Sequence, residues 1–175
     1  MNSKPMENGA TYFKTDAVQS FLRFAQHPFK FSAFTFWKLP AAWLAGVRLV
    51  SVSEEQCVAQ VPYRWLSQNP FRSTYFACLA MAGELSTGLP AMMYARSATR
   101  NVSMLVTGMQ ATFVKKATGT TYFTCTDIPA MKAAITKALQ ENEPTSITMR
   151  SEGRNKEGIV IASFDITWSF KARSA

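Results

Sequence analysis

The sequence predicts an α+β fold in which one long, buried helix packs against about six antiparallel strands. The helix is predicted because a single charged residue, Glu84, lies between Arg72 and Arg96, and a helix that is apolar nearly all round is normally buried. The strands are predicted because apolar and polar residues alternate over 160–171, as in a strand with one face on the core. With 47% hydrophobic and 17% charged residues, a chain of 175 residues can bury one sizeable core.

Residues 1–45 are predicted to form a helical, aromatic-rich extension, and residues 46–175 to form the sheet domain. Asp16 is placed to cap a first helix that ends near His27 and Pro28. The aromatic stretch from Phe29 to Trp37 suits a membrane surface, an acyl-chain clamp or a cover for the core. The burial preference of aromatic side chains favours the core.

Six segments have the composition of strands, and polar turns between them predict three hairpins. The strands are expected at 47–52, 57–63, 102–114, 121–125, 146–150 and 160–171, with hairpin turns at 53–56, 117–119 and 154–158. The long helix is expected to open at Asn69 and Pro70 and to stop at Gly88 and Pro90. A shorter amphipathic helix is expected to begin at Asp127.

Charge and cysteine usage limit the classes of partner and compartment. The net charge of +8 suits an anionic partner, but Lys115-Lys116 is the only adjacent basic pair, so we expect no nucleic-acid partner. Cys57, Cys78 and Cys125 are far apart and odd in number, which indicates reduced thiols and a cytoplasmic location. The first sixteen residues are polar, so we expect a soluble protein without a signal peptide.

Glu84 is the leading candidate for a site residue. Removing water from a carboxylate costs free energy and raises its pKa, so a buried helix has reason to keep one only if something pairs with it or uses it. Most of the side chains three and four positions away are small, which leaves room beside Glu84 for a ligand or a second backbone: Ala80, Met81, Thr87 and Gly88. The alternative is a structural carboxylate, paired with a basic side chain or hydrogen-bonded across a homodimer interface.

The segment from Asn69 to Ala77, followed by Glu84, resembles the motif of the hotdog-fold thioesterase superfamily. In that motif an Asn lies fifteen positions before an acidic residue of the central helix, with a His-Gly-Gly step between them. The segment 113–119 also resembles the family's aromatic, basic and glycine pattern at a strand end. The resemblance covers about 47–171, is closest to a subgroup of bacterial acyl-CoA thioesterase-like proteins, and implies a long central helix wrapped by a curled antiparallel sheet.

The resemblance implies a role for each matching residue. Glu84 would act as general base or nucleophile, and Asn69 would position water or substrate. Other residues would bind the acyl group near the helix start and along its Glu84 face: Tyr75, Phe76, Ala77, Thr87 and Gly88. Backbone N–H groups of Phe76 and Ala77 would polarise the thioester carbonyl. The phosphates of coenzyme A would be held by cations: Arg72, Lys115 and Lys116.

The chain also departs from the motif. Tyr75 stands where many members have His, and Phe76-Ala77 replace the paired glycines, so we expect these side chains to hinder close approach of a carbonyl to the backbone. The sole histidine, His27, lies in the extension, which argues against the dehydratases and hydratases that use a catalytic His on this scaffold. Neither a metal-ligand spacing nor a phosphate-binding glycine loop is present, so we expect no cofactor beyond coenzyme A in the substrate.

Three functions are consistent with the sequence. The first is hydrolysis of an acyl-CoA or acyl-carrier thioester, with Glu84 activating water. The second is a non-catalytic module that binds a fatty acyl group or another apolar molecule. The third, a membrane-surface protein anchored through 29–37, rests on composition alone, and we expect no membrane contact. The resemblance further implies a homodimer or a dimer of dimers.

Overall fold

A computed structural model describes residues 11–173 of the chain. The predicted polar segment without a signal peptide falls largely on residues 1–10, which lie outside the described residues. Three helices precede the sheet: α1 (Thr15–Gln26), α2 (Pro28–Lys38) and α3 (Pro40–Ala45). Pro28 and Pro40 open α2 and α3 at positions where a backbone N–H has no helical partner. The predicted cap was wrong, because Lys14 occupies the cap position of α1 and Asp16 lies in its first turn.

The six predicted strands are present and form one antiparallel sheet. They are β1 (Arg48–Val52), β2 (Cys57–Val61), β3 (Val102–Phe113), β4 (Thr121–Cys125), β5 (Thr145–Arg154) and β6 (Val160–Ala172). Their order in the sheet is β1-β2-β4-β5-β6-β3. The hairpin predicted at 117–119 was therefore wrong: β3 pairs with β6, and the chain crosses the sheet to place β4 between β2 and β5.

The long helix α4 (Phe76–Ser97) has 22 residues and packs against every strand of the sheet. Both of its predicted ends were wrong, since it starts seven residues after Asn69 and continues through Gly88 and Pro90. Proline removes one hydrogen bond from a helix interior, but Gly88 and Pro90 are buried, so packing on all sides outweighs the loss.

A second helix covers the same core beside α4 and packs against β5 and β6. This helix, α5 (Ile128–Glu141), follows Asp127 as predicted and buries its apolar face: Ile128, Met131, Ile135 and Leu139. Asp127 does not cap it; its carboxylate accepts the backbone N–H of Arg150 at 2.7 Å. The three cysteines are buried and free. Cys57 of β2 and Cys125 of β4 are register partners, so two of them lie side by side in spite of their distance in sequence.

The aromatic stretch divides between core and surface. Phe31 is buried, and the ring of Phe34 packs edge-to-face on Phe24 of α1 at 5.7 Å. Phe29 and Trp37 are instead 82% and 77% exposed, so the expectation that the aromatics cover the core was wrong for these two. The reason is helical geometry: only one face of α2 can rest on the domain, while aromatics occupy both faces.

One helix in the described residues is long and apolar enough to cross a membrane, and it is α4. Of its most apolar 18-residue stretch, 67% is buried inside the fold, as expected for the core helix of a soluble protein.

Candidate functional site beside the central helix

Glu84 opens into an apolar cavity of about 340 Å³ between α4, α2 and β3. One wall is the α4 stripe that follows Glu84 at helical spacing, and the other walls come from α2, its end and β3. The lining residues are Phe34, Lys38, Leu39, Glu84, Leu85, Gly88, Leu89, Met92, Arg96 and Met104. Arg96 lies twelve residues after Glu84, so the two charges stand roughly 18 Å apart along the helix axis. The cavity therefore has a carboxylate towards one end, a guanidinium towards the other and apolar walls between them. We call it the Glu84 cavity.

The Glu84 carboxylate has no hydrogen bond or ion pair with any residue of 11–173. The residue is partly buried, and burial raises the pKa of its carboxyl above the ordinary value. Within one chain the structural alternative, pairing with a basic side chain, has no support among these residues. A partly desolvated carboxylate without a paired cation is a stronger base when ionised than one held in an ion pair.

Gly88 gives this carboxylate its position. A Cβ atom at Gly88 would lie 2.7 Å from Oε1 of Glu84 and 3.0 Å from Cζ2 of Trp168, so the side chain of Glu84 lies across the glycine. Thr87, predicted to bind substrate, is fully buried and does not line the cavity. Its hydroxyl donates to the carbonyl of Glu84 at 3.1 Å and accepts the indole N–H of Trp168, also at 3.1 Å. Thr87 therefore fixes the helix and the tryptophan behind Glu84.

Asn69 lies in the loop before α4 and holds that loop in shape. Its Oδ1 accepts the backbone N–H groups of Phe71 at 2.9 Å and Ser73 at 3.3 Å, as well as the hydroxyl of Ser73. Arg72, at the tip of this loop, is exposed and adopts a left-handed conformation with φ of 58°. Asn69 therefore uses its carbonyl oxygen within its own loop, while its amide N–H contacts Thr74 only at 3.5 Å.

The start of α4 presents unpaired backbone donors. Tyr75 is the cap residue and provides no side-chain cap. Its carbonyl accepts the N–H groups of Cys78 and Leu79, whereas those of Phe76 and Ala77 donate to no group within 11–173. Unpaired N–H groups at a helix N-terminus are an anion-binding arrangement.

A single chain does not bring these two parts of the site together. Glu84 lies eight residues after Phe76, roughly 12 Å along the helix. None of four predicted residues lines the Glu84 cavity: Asn69, Tyr75, Phe76 and Ala77. Of the residues predicted around Glu84, only Gly88 does.

Lys115 and Lys116 line a separate, polar cavity of about 460 Å³ at the same end of the fold as the helix start. Lys116 reaches the carbonyl of Phe71 at 3.4 Å, and the carbonyl of Ala117 accepts the backbone N–H of Thr74 at 2.8 Å. Lys156, from the β5–β6 turn, adds a third ammonium group to this cavity. We call it the lysine cavity.

Sequence reasoning missed several lining residues. The sequence did not mark Lys156 as a site residue, because lysines in turns are usually solvated. The α2 residues of the Glu84 cavity were missed because their contact with α4 spans about fifty positions in sequence: Phe34, Lys38 and Leu39. The cavity also takes in Arg96 and Met104, which lie beyond the predicted end of the helix.

Solved structures with the same architecture share little sequence with this chain. A Pseudomonas aeruginosa protein, described as a probable thioesterase of unknown function, superposes with a TM-score of 0.66 at 15% identity, over 83% of this chain and 97% of its own. A Chlorobaculum tepidum protein of unknown function gives 0.70 at 11%, over 94% and 100%. A thioesterase from Haemophilus influenzae gives 0.57 at 10%, over 83% and 90%.

These likenesses establish the fold that the resemblance predicted, a hotdog fold with an N-terminal helical extension. A sequence search of curated proteins finds no match to this chain. The sequence model of one protein family matches residues 29–170, which include α2, α3, the whole long helix and most of the sheet. The chain therefore belongs to that family, the domain of unknown function DUF4442.

Proposed function

We propose that the protein hydrolyses acyl-CoA thioesters, with Glu84 as the general base for water or as the nucleophile. The observation that carries this proposal is the Glu84 carboxylate, which has no paired cation among the described residues and lines an apolar cavity. Burial raises the pKa of its carboxyl group. The thioesterase descriptions of the Pseudomonas and Haemophilus proteins on the same fold support the reaction class. The walls of the Glu84 cavity suit an acyl chain.

The helix start is proposed to stabilise the transition state. Attack on a thioester carbonyl places negative charge on its oxygen, and the free N–H groups of Phe76 and Ala77 can donate to it. Asn69 keeps the preceding loop in shape and is proposed as a positioning residue.

Two copies of the chain are proposed to complete one site. The strand β3 ends the sheet and pairs only with β6, yet it has 12 residues and large exposed apolar side chains: Leu105, Met109 and Phe113. Such an edge needs a partner. Met104 near its beginning lines the Glu84 cavity, and Phe113 at its end contacts the ring of Phe76 at 6.4 Å.

These two points on β3 are nine residues apart, about 30 Å along a strand. Antiparallel pairing of two β3 strands around Gly108 and Met109 would place the end of each beside the beginning of the other. The helix start of one copy would then lie near the Glu84 cavity of its partner. Two copies would thereby join the groups that one chain separates.

The lysine cavity is proposed to hold the phosphates of coenzyme A. It combines the ammonium groups of Lys115, Lys116 and Lys156, and one carboxylate, Glu157, also lines it. Three ammonium groups beside the helix start suit the charge of the nucleotide end of coenzyme A, which an acyl carrier protein lacks.

Hydrolysis is tested with purified protein, a panel of acyl-CoAs and a reagent that detects free thiols. Glu84→Gln keeps the side-chain volume and removes the base, so we expect kcat to fall about 10²- to 10⁴-fold. Glu141→Gln, which changes an exposed carboxylate in α5, is the matched control and should keep the wild-type rate. Equal rates for Glu84→Gln and wild type would remove Glu84 from the mechanism.

The backbone donor is tested at Phe76, the first residue of α4. Phe76→Pro deletes its N–H, and Tyr75 already has the extended conformation (φ −61°, ψ 133°) that a following proline requires. We expect about a 10²-fold loss of kcat, while Phe76→Ala, which keeps the N–H, separates the effect of the ring. If both variants lose the same activity, the N–H has no catalytic role.

The shared site is tested by co-expressing the Glu84→Gln and Phe76→Pro chains. Random pairing of two inactive chains gives half heterodimers, and each would have one intact site, so about a quarter of the wild-type rate should return. No recovery, in a sample that forms mixed dimers by native mass spectrometry, would place both groups in the same chain's site.

A non-catalytic acyl-binding module is the second candidate. It is favoured by the large, exposed side chains of Tyr75 and Phe76, which flank the donors where the motif has His and Gly. This candidate predicts acyl-CoA binding in native mass spectrometry with no thiol release from any substrate. Release that depends on Glu84 would exclude it.

A further inference from the structure

Helix α2 has two apolar faces, and only one of them packs on the protein. The inner face rests on α1 and the domain through Phe31, Phe34 and Thr35. The outer face, which we define as Phe29, Ala33, Phe36 and Trp37, has the spacing i, i+4, i+7, i+8 and is exposed throughout. Phe29 and Trp37 are 82% and 77% exposed. A stripe of large exposed apolar side chains marks an interaction surface rather than a free surface.

The exposed apolar surface continues beyond α2. The ring of Phe36 packs on Trp43 of α3 at 5.0 Å. Arg64 then donates to the carbonyl of Leu44 at 2.8 Å, and this bond ties α3 to the short 3-10 helix Trp65–Ser67. Leu44 and Trp65 are themselves 50% and 78% exposed. The outer face is therefore one part of a larger surface built from three neighbouring elements.

The charged residues of α2, α3 and the 3-10 helix with its cap Arg64 are all basic. No Asp or Glu occurs from residue 17 to residue 53, whereas Lys30 and Lys38 stand exposed at the two ends of α2. Arg64, beside Trp65, adds another cation. A second copy that used the same face would bring lysine against lysine, which costs free energy, so the charge pattern favours an anionic partner over self-association. Aromatic rings with lysines at their margins are the composition of a helix that lies in a lipid interface.

In place of the expectation from sequence that the protein has no membrane contact, we propose that the outer face of α2 docks the protein on an anionic lipid surface. Phe29, Phe36 and Trp37 enter the boundary between headgroups and acyl chains, and Lys30 and Lys38 contact the lipid phosphates. The inner face of the same helix covers the Glu84 cavity through Phe34, and Lys38 at its end and Leu39 just after it also line this cavity, so docking places the cavity next to the membrane. An acyl chain can then pass between lipid and cavity with little exposure to water. This passage rests on the proposed function, whereas the docking does not.

The test is flotation of the full chain with vesicles of two compositions. One contains equal parts of phosphatidylglycerol and phosphatidylcholine, and the other contains phosphatidylcholine alone. We expect binding to the anionic vesicles that weakens as salt is added. The double variant Phe29→Ser, Trp37→Ser should lose this binding, and Lys30→Ala should weaken it about fivefold. Ile159→Ser, at an exposed apolar position in the β5–β6 turn, is the matched control and should bind like wild type.

Equal binding to both vesicles, or none to either, overturns the proposal. So does a concentration-dependent oligomer in sedimentation that the Phe29→Ser, Trp37→Ser variant abolishes, because the face would then join copies of this chain. Hydrolysis of a short, water-soluble acyl-CoA without vesicles should be unchanged in this variant, since neither residue lines the Glu84 cavity. Vesicle binding without any hydrolysis would leave the docking surface in place and refute the proposed enzyme alone.

Discussion

Gly88→Ala tests whether the position of the Glu84 carboxylate matters, without changing any polar group. The new methyl would begin 2.7 Å from Oε1 of Glu84 and 3.0 Å from the ring of Trp168. Ordinary contacts lie near 3.5 Å, so the contact with the carboxylate is too short by about 0.8 Å and the contact with the ring by about 0.5 Å. Trp168 is buried and its indole N–H is bonded to Thr87, whereas the carboxylate has no partner among the described residues. The carboxylate is therefore the group that moves.

The expected effects on stability and rate differ in size. Replacing glycine by alanine inside a helix stabilises it by about 1 kcal/mol, and overpacking costs about 1–3 kcal/mol, so the net change in unfolding free energy is small. A misplacement of about 1 Å costs about 10²-fold in rate, so a displacement of about 0.8 Å should lower kcat by about 10- to 10²-fold. Gly83→Ala is the matched control in the same helix, because its methyl would lie 2.8 Å from the buried ring of Phe164 and not near Glu84.

Thermal unfolding and thioester hydrolysis, normalised to folded protein, separate these effects. Phe164 packs against the rings of Phe113 and Phe123 and has little room to retreat, so Gly83→Ala should cost about 1 kcal/mol net, lower Tm by roughly 2–4 °C and leave kcat unchanged. Gly88→Ala should instead lower kcat and leave Tm nearly unchanged. A normal kcat in Gly88→Ala would refute the reasoning, since it would mean that the reaction does not depend on where this carboxylate lies.

Three further predictions concern stability. Burial raises the pKa of Glu84, so its ionisation destabilises the fold; Glu84→Gln should raise Tm at neutral pH, and calorimetry should show this gain vanish as pH falls below the ordinary Glu pKa. A gain that persists in acid would rule out ionisation as its cause. Tyr94→Phe deletes a 2.8 Å hydrogen bond to Glu54 and should cost about 1 kcal/mol in urea unfolding at neutral pH, whereas no loss would show that this bond contributes nothing net. Thr87→Val leaves the indole N–H of Trp168 without an acceptor and should cost about 1–3 kcal/mol at an unchanged urea slope. A changed slope would mean that the variant alters more than this bond.

The strands could be predicted because their signals are local. The alternation over 160–171 corresponds to β6, whose buried and less buried residues alternate along most of its length. The hairpins predicted at 53–56 and 154–158 are confirmed, since β1 pairs with β2 and β5 with β6, but the partners of β3 and β4 could not be predicted in the same way. The turn at 117–119 has the composition of a hairpin, but the Val114 and Lys115 N–H groups bond the carbonyl of Ile161, so the chain continues along β6 before it turns away. Pairing over such sequence distances depends on the whole sheet.

The predicted ends of the long helix were wrong for a related reason. Asn69 and Pro70 are correct signals for a local turn, because the Asn69 side chain does accept backbone N–H groups, but they belong to a loop of a few residues before the helix. Glycine and proline, as at Gly88 and Pro90, usually end a helix that is exposed to water. In a helix surrounded by strands, the apolar side chains before and after them hold the helix together.

Glu84 could be predicted as the site candidate because one charge in an apolar helix is visible in sequence. Its cavity could not be predicted, since the wall from α2 is a contact between distant segments. The distance between Glu84 and the helix start could not be predicted from the sequence either. It follows from the length of the helix, and the motif spacing gives no indication that one chain keeps the two groups apart.

The structure changes what the loss of the His-Gly-Gly step implies. Phe76 and Ala77 have ordinary negative φ angles, since Arg72 and Asn142 are the two described non-glycine residues with positive φ, so neither position needs glycine for its conformation. The ring of Phe76 lies 4.8 Å from that of Tyr75 and 6.4 Å from that of Phe113, and these contacts hold it beside the end of β3. The N–H groups of a first helical turn point along the axis towards the helix N-terminus, and those of Phe76 and Ala77 meet no acceptor within residues 11–173. Bulky residues can therefore replace glycines here without a change of backbone conformation, and the two N–H groups keep the free donors that the proposed oxyanion role requires.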